Sequence, residues 1–100
     1  MGNNEKLDQM VHDEMYKNLN RTEELLSHLY EMIKNDPENK ELTRIFEGVL
    51  YIAQDQVRTN AIVSETYFGK GIKEYSMKIA KRREENLKSL SEHAKKGRTK

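Results

Sequence analysis

Two pairs of side chains have the spacing that places a carboxylate beside an imidazole on a helix. Asp8 precedes His12 and Glu24 precedes His28, each by four residues, and residues four apart are neighbours on a helix surface. Helical di-metal sites use Glu-x-x-His on facing helices, a pattern that this sequence does not contain. Two isolated pairs do not complete a ligand set. We therefore predict no metal site and no cofactor.

The residue types in the sequence do not favour other kinds of catalysis either. The chain has no cysteine, which excludes thiol nucleophiles, thiolate metal sites and disulfides. Lys70 lies between Gly69 and Gly71, but a phosphate-binding loop needs Gly-x4-Gly-Lys-Ser/Thr after a strand, and that spacing is absent. Acid–base catalysis needs perturbed groups in a water-poor pocket, whereas the carboxylates are scattered over polar stretches. We predict that the protein is not an enzyme.

The two parts of the chain carry opposite charge. Residues 1–69 hold 7 Lys/Arg against 13 Asp/Glu, and residues 70–100 hold 11 against 4. The basic segment 70–100 either contacts an anionic partner such as nucleic acid or is a solvated helix whose charge the acidic remainder offsets. We favour the second interpretation. The candidate contacts with an anionic partner, which would be non-specific and salt-dependent, are Lys78, Lys81, Arg82 and Arg83.

Long helices must position these residues, and the central one has the clearest pattern. Asp36 is a good N-cap and Pro37 suits the first helical position. The pattern then continues to Tyr67, with Gly48 as the only glycine between Pro37 and Gly69. Apolar residues recur every seven positions and form one broad stripe. This stripe predicts a long amphipathic helix.

The whole pattern predicts three helices, at about 4–34, 37–67 and 71–95. The short connection before the central helix predicts an antiparallel hairpin. Gly69 and Gly71 supply the flexible dihedrals that end or hinge a helix. A capping box at Asn20–Glu23 offers a restart of the first helix, but we favour a continuous helix.

The predicted fold class is all-α, in a single domain over residues 1–100. It consists of a helical hairpin at 5–67 and a basic C-terminal helix at 71–95, with residues 1–4 and 96–100 disordered. Such long amphipathic helices usually find a partner chain, so we expect a two-fold homodimer that forms a helical bundle.

Two polar residues, Gln56 and Asn60, interrupt the central apolar stripe. A polar residue at such a position tends to set register and oligomeric state. We favour this structural role, or partial exposure, over a polar ligand pocket. The predicted self-association face consists of Leu42, Phe46, Val49, Ile52, Gln56 and Asn60.

Nothing in the sequence suggests a membrane protein. No apolar run approaches the ~18 residues needed to span a bilayer, and the N-terminus has no signal-type apolar core. A membrane-surface helix would need bulky apolar residues opposite the lysines of the C-terminal helix, and these are few. We expect a cytoplasmic protein that does not bind membranes.

One stretch of the central helix is similar to a known family. Gln54–Val57 (QDQV), followed by Asn60–Val63 (NAIV), resembles the small Bacillus YvfG family, and His93–Arg98 (HAKKGR) is similar to the basic C-terminus of that family. The resemblance implies a helical hairpin that associates with itself, and it implies no reaction.

The apolar stripe and the charge layout together predict a small non-enzymatic interaction or regulatory protein. It would act through self-association and through contacts with another protein. The alternative is a nucleic-acid-binding accessory protein that uses residues 70–100.

Overall fold

Three long helices make up the structure. The computed structural model describes residues 5–98, with side chains to residue 93. The helices are α1 Glu5–Asn35, α2 Lys40–Tyr67 and α3 Lys70–Arg98, and they lie side by side in a rod of 53 × 17 × 15 Å. The all-α prediction is confirmed, and residues 5–98 contain no strand.

The C-terminal end of α3 differs from the prediction. Disorder is predicted from residue 96, yet the backbone remains helical to Arg98. Residues 94–98 contain no proline, which would interrupt the helix. The predicted disorder at residues 1–4 and 99–100 lies outside the described residues.

Helix α1 runs unbroken through the capping-box sequence, as we favoured. Thr22 Oγ1 donates to Asn18 O at 3.2 Å, which is a bond to the preceding helical turn and not a cap. Asn20 and Glu23 both contact Arg83 of α3. The polar residues of this stretch therefore join two helices instead of starting a new one.

The turn between α1 and α2 contains both residues that were predicted to start α2. Asp36 and Pro37 occupy the first two positions of a turn closed by a bond from Asn39 N to Asp36 O at 3.2 Å, where both residue types are favoured. Asn39 is the N-cap, since its Oδ1 accepts from Leu42 N at 3.0 Å. Asp36 as N-cap is therefore a wrong prediction, because Asn39 suits the cap equally well and leaves Asp36 free to begin the turn.

Phe68 and Gly69 separate α2 from α3. Phe68 ends α2 in an extended conformation, with φ −82° and ψ 146°. Neither Gly69 nor Gly71 has a positive φ, so the break does not depend on the dihedral freedom of glycine. Asp8 of α1 accepts from Gly69 N at 2.7 Å, and a carboxylate is favourable at a helix N-terminus. Helix α1 thus holds the start of α3 in place.

The interior is built from one face of each helix. Its largest fully buried apolar side chains are Leu19 and Leu26 of α1, Phe46 of α2 and Leu87 of α3. The ring of Tyr30 lies 6.4 Å from the ring of Phe46. Each such side chain contributes roughly 1.5–3 kcal/mol when it leaves water. Because Leu87 belongs to this interior, the second half of α3 packs against the hairpin.

Changing Gly48 to alanine should stabilise the protein. Gly48 is inside α2, and a Cβ atom added there meets no other atom within 4 Å. Glycine in a helix interior costs about 0.5–1 kcal/mol relative to alanine, so the midpoint of thermal unfolding should rise by a few degrees. Circular dichroism measures the midpoint. An unchanged or lower midpoint would contradict this expectation.

Candidate interaction surface

The predicted self-association face lies largely inside a single chain. Leu42, Phe46 and Asn60 are buried, so a second copy cannot reach them while the three helices are packed. Val49 and Gln56 are half-buried. The stripe on α2 is broad enough to face both α1 and α3, and its centre is used by these two neighbours.

Asn60 belongs to a polar layer that crosses the interior. Ser64 Oγ donates to Asn60 O at 2.8 Å and lies 2.5 Å from Ser76 Oγ of α3. Both serines are fully buried, and such small side chains let two helices approach closely. Within the described residues, Asn60 Nδ2 and His12 Nε2 are buried without a hydrogen-bond partner. Asn60 is therefore part of the interior and not of a dimer contact.

His12 enters the same layer from α1. Its ring lies 4.7 Å from the ring of Tyr16 and 5.2 Å from that of Tyr75. Its Nδ1 atom lies 3.3 Å from Asp13 Oδ1, while Asp8 bonds to the start of α3. The expected pairing of Asp8 with His12 is therefore replaced by other contacts.

Asp13, Glu24 and His28 of α1 lie at the surface. Gln9 Nε2 donates to Asp13 Oδ1 at 2.8 Å, and this bond, followed by the neighbouring His12, lowers the pKa of Asp13. The second predicted pair, Glu24 and His28, is exposed. In the part of the chain that the structure describes, no three metal-binding side chains come together.

Tyr16 connects α1 to α3 inside this layer. Its hydroxyl donates to Ser76 O at 3.3 Å, and the side chain is buried. Burial raises the pKa of Tyr16, although the bond to Ser76 and the nearby Arg83 act in the opposite direction. The fold therefore favours the neutral phenol.

Changing Tyr16 to phenylalanine should weaken the loss of stability at high pH. Because the pKa of Tyr16 is raised in the folded chain, the unfolded chain releases the phenolic proton first, near pH ~10. The contribution of Tyr16 is fully present below that pH and is lost as the pH rises through the folded pKa. Urea unfolding at several pH values measures how steeply the free energy of unfolding falls as the pH rises. Tyr51→Phe is the control, since Tyr51 is exposed; equal slopes for both variants would contradict the expectation.

A row of apolar side chains on α1 remains exposed. Val11, Leu25 and Met32 are spaced by multiples of seven residues and are 37%, 48% and 53% exposed. Tyr16 and Glu23, which contact α3, lie on the other edge of the buried face of α1, at about 100° per residue. The row therefore borders α2 on the side of the molecule that α3 does not cover.

Helix α2 carries a matching row. Ile45 and Ile52 are about half exposed, and Val63 is half-buried. Gln54 and Arg58 line a cleft against α3 and so identify the edge of α2 that faces α3; the row lies on the opposite edge. The two rows form one strip, here called the open face. It consists of Val11, Asn18, Leu25 and Met32 of α1 and Ile45, Val49, Ile52, Gln56 and Val63 of α2.

The sequence pattern predicted only three residues of the open face, Val49, Ile52 and Gln56 of α2. The α1 part has a visible signal, because Val11, Asn18, Leu25 and Met32 follow one another at intervals of seven residues. Whether that row is covered depends on the side of the hairpin on which α3 lies. The sequence pattern does not indicate this side.

The four basic residues that were candidates for an anionic partner are not equivalent. Arg83 contacts Asn20 and Glu23 of α1, and its side chain is only 26% exposed. It therefore joins helices within the chain. Lys78, Lys81 and Arg82 are exposed and remain accessible to a partner.

Comparisons with known proteins add no relative. Across residues 5–98, no helix combines the length and the apolar character that crossing a bilayer requires. No family model, no characterised protein and no solved structure matches the chain. What the chain does is therefore inferred from its own interior and surface.

Proposed function

We propose that this chain is a small non-enzymatic interaction protein that acts through self-association, with the open face as its contact surface. The supporting observation is that Leu25, Ile45 and Ile52 are exposed together on one side of the hairpin. Contiguous exposed apolar patches mark contact surfaces, whereas scattered apolar residues do not. Because α3 covers only the other side of the hairpin, this side can receive a further layer of helices.

The open face shares three residues with the self-association face predicted from the sequence. Val49, Ile52 and Gln56 stay in the contact surface, and the apolar row of α1 replaces the three buried residues. The polar layer contributes to the interior of each chain and leaves self-association to the open face.

Sedimentation equilibrium of the full chain at micromolar concentration tests the proposal. The wild-type chain should be a dimer. Ile52→Lys should raise the dissociation constant at least about tenfold, because a lysine ammonium would be buried in an apolar contact. Ile62→Lys is a matched control, since Ile62 is on the same helix, is 64% exposed against 54% for Ile52, and lies away from the open face.

Two results would contradict the proposal. One is a wild-type chain that stays monomeric across the concentration range. The other is an equal effect of Ile52→Lys and Ile62→Lys, because the contact would then not depend on the open face. Circular dichroism of each variant verifies that the helices are retained.

A second candidate function is suggested by the exposed basic residues of α3. Lys78, Lys81 and Arg82 are accessible and could contact phosphates, although the neighbouring Glu84 and Glu85 reduce the positive field. Gel shifts with duplex nucleic acid at low and moderate salt test this alternative. Binding that weakens steeply as salt rises would support it, and no binding at low salt would remove it.

A further inference from the structure

On α1, the open face shows the same pattern in both directions from its middle. Asn18 is exposed, and Val11 and Leu25 lie seven residues before and after it, which is about 10 Å along the helix at ~1.5 Å per residue. Glu14 and Arg21 are exposed beside the same row, four residues before and three residues after Asn18. The row thus has a polar centre, two apolar ends and opposite charges on its two halves.

Helix α2 repeats this pattern at the same height. Gln56 lies between Val49 and Val63, again seven residues away in each direction. Because α1 and α2 are antiparallel, a residue of α1 lies level with the residue of α2 for which the two residue numbers sum to about 75. Asn35 and Lys40, on either side of the turn, give this sum. Gln56 is therefore level with the polar centre of the α1 row. The whole open face has one polar centre between two apolar ends.

We propose that the open face binds a second copy of this chain in reversed orientation, about a two-fold axis that runs across the helices through the polar centre. The proposal rests on the self-association proposed above and specifies its geometry. In an isologous contact of this kind, α1 lies antiparallel to α1 of the second copy, and α2 lies antiparallel to its α2. Val11 then packs against the partner's Leu25, and Asn18 meets its own copy.

Charge complementarity favours the reversed orientation. Reversal places Glu14 near the partner's Arg21, and the symmetry produces this contact twice. If the axis ran along the helices instead, α1 would lie over the partner's α2, and Glu14 would not meet Arg21. That arrangement lacks this pair of charge contacts.

The open face is close to the size that a stable dimer needs. The apolar row of α1 continues to the exposed Leu7, and from there to Met32 it extends about 38 Å at ~1.5 Å per residue. The molecule is 17 Å wide. The flat footprint is roughly 600 Å², compared with the ~800 Å² of accessible surface that each partner loses in a standard interface. Interdigitating side chains bury more area than a flat footprint.

Disulfide cross-linking of single-cysteine variants tests the orientation. The chain has no cysteine of its own, so each introduced thiol reports one position. Asn18→Cys should form a linked dimer under mild oxidation, because a residue beside the axis meets its own copy within disulfide reach. Val11→Cys and Leu25→Cys should each remain unlinked alone, since each lies about 20 Å from its own copy at ~1.5 Å per residue.

An equimolar mixture of Val11→Cys and Leu25→Cys should form the mixed disulfide, which mass spectrometry identifies. Tyr51→Cys is the control for random collision, because Tyr51 is exposed on α2 away from the open face. Self-linking of Leu25→Cys would overturn the reversed orientation. An absence of links from Asn18→Cys in a chain that sedimentation shows to be dimeric would overturn the geometry alone. A monomeric wild-type chain would overturn the proposed self-association as well.

Discussion

Changing Phe46 to alanine should lower the free energy of unfolding by about 3–5 kcal/mol, the usual cost of removing a buried aromatic ring. Phe46 is 1% exposed and its ring lies 6.4 Å from the ring of Tyr30, so the deleted atoms leave a cavity between α1 and α2. A domain of this size has about 5–15 kcal/mol of stability in total. The substitution therefore removes a large share of it.

Urea unfolding followed by circular dichroism measures the effect of Phe46→Ala. Ile62→Ala is the control on the same helix, because Ile62 is 64% exposed and its truncation leaves no cavity; exposed substitutions usually change stability by less than about 0.5 kcal/mol. The comparison also tests the assignment of Phe46 to the interior. If Phe46→Ala cost no more than the control, Phe46 would have to be at the surface, as a self-association residue is.

Changing Leu87 to alanine should lower the free energy of unfolding by about 2–5 kcal/mol. Leu87 is 1% exposed and is the only large apolar side chain of α3 that is fully buried among the residues described. Its truncation removes the main contact between the second half of α3 and the hairpin. A cost of this size would establish that this half of α3 is part of the interior.

Ser89→Ala is the control for Leu87→Ala, since Ser89 is two residues away on α3 and exposed. Urea unfolding measures both variants, and amide hydrogen exchange reports which segments open. We expect faster exchange in the second half of α3 for Leu87→Ala and no change for the control. A cost below about 1 kcal/mol for Leu87→Ala would mean that this half of α3 projects into solvent.

The cap of α2 and the break before α3 differ from the predictions for the same reason. Asp36 and Asn39 are both good caps, and the formation of the turn decided between them. Gly69 and Gly71 suggested a break made by glycine dihedrals, whereas Asp8, which is 61 residues from Gly69 in the sequence, stabilises the start of α3. Each outcome depends on a partner that local propensity does not reveal.

The sequence pattern predicted only part of the buried interior. The apolar spacing of α2 assigned Leu42 and Phe46 to a contact with a second copy, whereas the structure buries both side chains within one chain. Ser64 and Ser76 carried no signal as interior residues, because serine is mostly found at the surface. Their burial follows from the close approach of α2 and α3.

The three long helices follow from local properties of the chain, because helical periodicity and turn-forming residues belong to each segment alone. Which apolar edges stay uncovered depends instead on how the helices pack. That outcome depends on the side of the hairpin against which α3 lies, and contacts such as those from Asp8 to Gly69 and from Glu23 to Arg83 hold it there. With α3 on that side, the centre of the α2 stripe is buried and the open face remains at the surface.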